Sequence, residues 1–168
     1  MLPVFVRHVW RRALICALFS TFSTFGTAAA APASGTQVAD LAEHYVGSRY
    51  IWGGASPTGF DCTGFVMWVF GQFAVSLPHN EAGQLASGAS ISADDLAPGD
   101  VVVFANTYRS GLSHVGIYVG DGQFVHAANE STGVIVNNLW DDYWGPRFVG
   151  ASRPIAGGLA ADKASVSR

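Results

Sequence analysis

The sequence predicts a single α+β domain in which N-terminal helices pack on an antiparallel β-sheet, and three observations carry that prediction. Apolar residues recur at helical spacing early in the chain, at Val38, Leu41, Ala42, Tyr45 and Val46, and again at Phe65, Val66, Val69 and Phe73. From residue 98 onward the pattern changes to short apolar runs separated by Gly and Asp turns, as strands require. Helices first and strands second is the order of an α+β domain rather than of alternating βαβ units. The 168 residues, 49% of them hydrophobic, suffice for one modest core. A formal net charge of -3, from 9 Lys plus Arg against 12 Asp plus Glu, lacks the basic footprint of a nucleic-acid binder, so no nucleic-acid partner is expected.

The elements follow in order. Arg7, His8, Arg11 and Arg12 precede an apolar run, Ala13 to Phe19, and the small residues Ala28 to Ala31. This pattern predicts a signal peptide over residues 1–30 that is removed on export. The apolar run is shorter than the roughly 20 residues of a spanning helix, so no stable membrane association is expected after cleavage. Residues 31–36 read as a linker, residues 37–154 as the folded domain, and residues 155–168, small and polar, as a flexible tail. A first helix runs from Val38 until Gly47 closes it. After the Gly-rich loop Trp52 to Phe60, a second helix is expected from Asp61 to about Phe73, with Asp61 as its N-cap. Residues 78–95 carry no clear pattern. Pro98-Gly99-Asp100 is a turn, and strands are expected at Val101–Phe104, Val115–Val119, Phe124–Ala127, Val134–Val136 and Arg147–Ser152.

Cysteine arithmetic points to one residue. Of the two cysteines, Cys16 falls in the expected signal, so the mature chain retains Cys62 alone. An odd cysteine in an exported protein is a buried inert thiol, an intermolecular link or a reactive group. Cys62 directly follows the Asp61 cap, where the unsatisfied N–H groups and dipole of a helix start favour a thiolate and lower the thiol pKa. Gly53, Gly54, Gly59 and Gly64 surround it and are expected to leave room for a substrate.

Two histidines could serve such a thiol. His114 opens a strand and His126 lies inside the next, and the turn between them decides whether they share a face. With a two-residue Asp121-Gly122 loop, Gly120 pairs with Gln123, Ile117 faces His126, and the histidines point to opposite faces. With a three-residue Gly120-Asp121-Gly122 loop, Gly116 faces His126 and the two become diagonal neighbours on one face. A joint role therefore predicts the three-residue turn. In that role His114 takes the Cys62 proton to give a thiolate–imidazolium pair, and His126 fixes the His114 tautomer. Backbone N–H groups at the helix start, with Tyr50 as a side-chain donor, would meet the oxyanion. A zinc site built from Cys62, His114 and His126 is the rival use. The chain lacks the CxxC and HExxH spacings and a nearby water-activating Glu, so no metal and no cofactor are expected.

Five segments, taken together, resemble the NlpC/P60 family of cell-wall cysteine peptidases: Tyr50-Ile51-Trp52-Gly53-Gly54, Asp61-Cys62-Thr63-Gly64-Phe65-Val66, Pro98 to Phe104, Ser113 to Gly120, and Phe124-Val125-His126-Ala127. They appear in the family's order over roughly residues 37–154. The resemblance implies a papain-like core and hydrolysis of a peptide bond in peptidoglycan stem peptides, typically between γ-D-glutamyl and meso-diaminopimelate or lysine. It implies Cys62 as nucleophile, His114 as base and His126 as the third polar residue, with Tyr50 and Asp61 binding substrate. Thr63 stands where the family usually carries Ser. No targeting module fits in the remaining chain, so a targeting or inhibitory partner is left open, and a periplasmic or extracellular place at the cell wall is expected. Other activities remain open on the same fold: an amidase, an acyltransferase, an antibacterial toxin, or an inactive wall-binding domain. Arg153 and the stretch Trp140 to Trp144 are further candidates to line the groove.

Overall fold

The computed structural model describes residues 33–155. The expected signal peptide and nearly all of the expected tail lie outside the described residues. The first helix, α1 (Gly35–His44), begins inside the expected linker. Ser34 Oγ accepts from the Gln37 N–H, and Gln37 Oε1 accepts from the Ser34 N–H at 2.9 Å, a capping box that fixes the helix start. Short strands β1 (Ala55–Ser56) and β2 (Gly59–Phe60) form a small hairpin within the Gly-rich loop. Helix α2 (Cys62–Gly71) follows, capped by Asp61 as its sequence predicts. It is apolar nearly all round and is accordingly the central, buried helix.

The segment without a pattern holds a helix, a strand and a single 3₁₀ turn (Ala93–Asp95) that sequence reasoning missed. Helix α3 (Glu81–Leu85) is capped by Asn80, whose Oδ1 accepts from the Gly83 N–H at 2.8 Å, and β3 (Ala89–Ile91) follows it. The remaining strands are β4 (Val101–Ala105), β5 (Leu112–Gly120), β6 (Gln123–Asn129), β7 (Gly133–Asn138) and β8 (Phe148–Arg153). The expected meander holds from β4 to β7. The last strand then returns to the far edge of β4, giving an antiparallel sheet in the order β3-β8-β4-β5-β6-β7.

Alternation along the strands divides the core. Val101, Val103, Val115, Ile117, Val125 and Ala127 pack with α1 and α2 on one side. Val102, Phe104, Phe124 and Ala151 pack with Leu139 and Trp144 on the other. Arg153 is tied into the fold itself. Its Nε and Nη2 donate to the two oxygens of Asp100 at 2.7 and 2.8 Å, a bidentate pair that fastens β8 to the turn before β4.

The β5–β6 hairpin corrects the expectation for its turn. The turn closes with two residues: Gly120 pairs with Gln123, while Asp121 and Gly122 both have positive φ, at 51° and 72°. A register shift between Tyr118 and Gly120 then inserts one extra residue, so Tyr118 pairs with Phe124 and Ile117 with Val125. Gly120, at φ 106°, supplies the backbone conformation for this bulge. A bulge beside a two-residue turn thus gives the same strand register as a three-residue turn, and His114 and His126 share a face.

Candidate functional site

The site is built where the start of α2 meets the start of β5. Asp61 organises the first of these. Its Oδ1 accepts from the Gly64 N–H at 2.6 Å and from the Thr63 hydroxyl at 3.1 Å, and its Oδ2 accepts from the Gly53 N–H at 2.9 Å. His79 Nε2 lies 2.9 and 3.1 Å from the two oxygens. One carboxylate therefore caps the helix, pins the Trp52–Gly54 loop and holds His79. Thr63, through its hydroxyl, belongs to this network. Gly64 leaves space for the chain itself rather than for a ligand, since a Cβ there would run into the Gly54 carbonyl oxygen.

Cys62 is the first residue of α2 and is 5% exposed. The backbone N–H groups of Thr63 and Val115 favour its anion, and the second follows His114 in the chain. They do not prevail. Burial, with the negative charges of Asp61 and Glu81 nearby, pushes the thiol up to about 12. The helix-start effect expected to create a resting thiolate is outweighed, and the thiol is protonated at neutral pH.

Cys62 lines a cleft of about 340 Å³ together with Tyr50, Asp61 and Thr63, and with four side chains that sequence reasoning missed: His79, Glu81, Tyr108 and Arg109. Trp52 and Tyr108, both largely exposed, meet edge to face at 5.8 Å across its rim. Arg109 Nη2 donates to Glu81 Oε1 at 3.0 Å, joining the β4–β5 loop to α3. Burial, then the charges of Cys62 and Asp61, raises the Tyr50 phenol well above its ordinary value, so it stays a hydroxyl donor.

The histidines stand on the sheet face lined by Phe104, Phe124 and Trp144. His114 Nε2 and His126 Nδ1 are 2.7 Å apart. Trp144 lies 5.1 and 4.9 Å from their rings, which places one residue of the Trp140 to Trp144 stretch against the pair rather than in the Cys62 cleft. Both rings are buried, at 4% and 0% exposure. Burial, with the neighbouring His126, holds His114 well below its ordinary value. Burial lowers His126 to about 4, against a hydrogen bond that it donates to Asn137, which raises it. Both are neutral at pH 7, so the resting pair is thiol and imidazole rather than the expected thiolate and imidazolium.

His126 Nε2 lies 2.9 Å from Asn137 Oδ1, a partner on β7 that the sequence reading did not name. His114 lines a second cleft of about 310 Å³, with Thr107, Asn129 and Trp144, and Tyr108 borders both clefts. Among the described residues no three His, Cys, Asp or Glu side chains converge as a metal site needs. The two imidazoles face each other rather than a common point.

A buried thiol at the capped start of a central helix, set against an antiparallel sheet with paired histidines, defines the papain-like α+β class. The chain belongs to the NlpC/P60 family, whose model matches residues 47–153. It is 42% identical over 118 residues to the Gamma-DL-glutamyl hydrolase of Bacillus subtilis strain 168, covering 69% of this chain and 28% of that protein. Its fold is similar to that of an NlpC/P60 family protein from Bacillus cereus ATCC 10987, with a TM-score of 0.70, 25% identity, and coverage of 74% of this chain and 41% of that one. It is also similar to the NlpC/p60 domain of the peptidoglycan hydrolase SagA, with a TM-score of 0.63, 29% identity, and coverage of 71% of this chain and 98% of that one. The chain thus spans little more than a quarter of the curated Bacillus subtilis relative.

Proposed function

We propose that this chain is an exported cysteine peptidase that hydrolyses a γ-D-glutamyl bond, to meso-diaminopimelate or lysine, in peptidoglycan stem peptides. The observation that carries the proposal is the coincidence of two arrangements at one place. A buried thiol lies against the backbone of Val115, and the preceding residue, His114, is locked to a second buried histidine. The names of two similar proteins, a Gamma-DL-glutamyl hydrolase and a peptidoglycan hydrolase, support the substrate class. Export by a signal peptide over residues 1–30 and action at the cell wall belong to the same proposal.

The steps follow from the protonation states. Because thiol and imidazole both rest neutral, Cys62 Sγ attacks the scissile carbonyl carbon as its proton passes to His114. The C–S bond forms, the carbonyl π pair moves onto oxygen, and the Cys62 N–H and the Tyr50 hydroxyl donate to the developing oxyanion. Collapse breaks the C–N bond, and His114 returns the proton to the departing amine. Water, deprotonated by His114, then hydrolyses the thioester and regenerates the thiol. Asp61 and Tyr50 form the wall of the cleft that holds the acyl side of the stem peptide, and the cleft beside His114 holds the amine side.

Digestion of defined muropeptides by the purified chain, read by mass spectrometry, tests this. Cleavage is expected after the γ-D-glutamyl residue and is expected to vanish in Cys62→Ala. Cleavage confined to the glycan strand, or binding without cleavage, would overturn it.

A further inference from the structure

Hydrogen-bond counting around the histidine pair fixes more than proximity. A neutral imidazole has one donor nitrogen and one acceptor nitrogen. Asn137 Oδ1 can only accept, so His126 Nε2, at 2.9 Å from it, must carry the hydrogen. His126 Nδ1 is then the acceptor, and His114 Nε2, 2.7 Å away, must donate to it. His114 Nδ1 is left as the one acceptor of that ring. Register explains why Asn137 is in place: Phe124 pairs with Asn137 and His126 with Ile135, so Asn137 is the diagonal neighbour of His126 on the same face. Phe124 stacks on the His126 ring at 4.6 Å and Trp144 meets its edge at 4.9 Å, so the ring has little freedom to turn away.

We infer that Asn137 is a positioning residue that sets the tautomers of both histidines through two successive hydrogen bonds, so that His114 presents Nδ1, unprotonated, as the base. The direction matters because a neutral histidine in the third position has no charge with which to select a tautomer, as a carboxylate would. Here the selection comes from one further residue, an amide oxygen at the end of the relay. Reversing the Asn137 bond would place hydrogen on His126 Nδ1 and force His114 Nε2 to accept it. Hydrogen would then sit on His114 Nδ1, and the ring would have no free acceptor left to take a proton.

The inference rests on the reading that Cys62 and His114 react together, but its first test does not. In the full chain labelled with ¹⁵N, long-range proton–nitrogen correlation reports which ring nitrogen carries hydrogen. Both histidines are expected as Nε2–H forms at neutral pH, and an Nδ1–H form of either ring would overturn the inference. In Asn137→Ala the two tautomers of His126 should mix, and kcat on a γ-glutamyl peptide should fall about ten- to a hundredfold, as for other groups that orient a working imidazole from behind. Asn137→Asp keeps an acceptor at the same place. It should restore the Nε2–H form and most of kcat, and move the acidic limb of the kcat/KM profile to higher pH, because the new charge favours protonated His126. Equal losses in Ala and Asp variants with unchanged tautomers would mean that Asn137 only packs. Should the wild type cleave no muropeptide, the proposed activity fails while the tautomer assignment stands or falls on the spectra.

Discussion

With Cys16 replaced by serine, Cys62 is the chain's single thiol, and its reaction with a small aromatic disulfide then reports its protonation across pH. The thiol stands at about 12 against an ordinary 9.0. At pH 7.5 its thiolate fraction is therefore about a thousandfold below that of a free cysteine. A more basic thiolate is a better nucleophile, by about twentyfold for this difference at a Brønsted slope of 0.4–0.5. The folded protein should thus react about 50-fold more slowly than the same chain unfolded in guanidinium, and burial of the sulfur slows it further. The slope separates these causes. Protonation makes the rate rise about tenfold per pH unit from 7 through 10 without levelling, whereas restricted access alone leaves the pH dependence of an ordinary thiol. Glu81→Gln removes one of the two carboxylate charges that favour the neutral thiol and should speed the reaction throughout this range. A fast rate that levels off below pH 8 would refute the argument and show a resting thiolate, with the helix start dominating over burial.

Acid should weaken the fold through the same histidines. Both are held below the ordinary 6.5, His126 at about 4. As pH falls from about 6.5, the unfolded chain takes up protons that the native chain refuses. Stability is then lost at about 1.4 kcal/mol per pH unit for each histidine, down toward pH 4 for His126; urea titrations at pH 7, 6 and 5 should show it, and a flat response would count against burial of neutral rings. Gly116→Ala places a Cβ 2.6 Å from Phe124 Cδ2 and 2.8 Å from the Val125 carbonyl oxygen, and should cost about 1–3 kcal/mol in the same titration. Arg153→Met strands the Asp100 carboxylate, whose side chain is 1% exposed, at a cost of about 3–5 kcal/mol. Adding Asp100→Leu should recover much of that loss, and failure to do so would mean that the ion pair is not what Arg153 supplies.

Local chemistry was legible in the sequence wherever neighbours in the chain decide the outcome. The Asp61 cap, the central helix after it and the five principal strands follow from spacing and turn residues. The α3 helix escaped because it is one short turn-and-a-half whose apolar residues are few, and Asn80 was its one clear signal. The β5–β6 register shows a different limit. Asp121-Gly122 favours a two-residue turn, Gly120 admits a bulge, and the sequence does not say that both occur together. His79, Glu81, Arg109 and Asn137 reach the site from elements distant in sequence, so no spacing links them to Cys62. The thiol pKa was misjudged for the same reason: the helix start is local and visible, while burial and the carboxylate of Glu81 are tertiary.

Mass spectrometry of the intact chain and of its peptic peptides after millisecond acid quench, with a γ-D-glutamyl p-nitroanilide as substrate, tests most directly whether Cys62 is the nucleophile served by His114. A γ-glutamyl adduct should appear on the peptide containing Cys62 and on no other, be absent from Cys62→Ala, and form far more slowly in His114→Ala. Undiminished release of p-nitroaniline by Cys62→Ala, with no adduct on the wild type, would contradict the proposed chemistry outright.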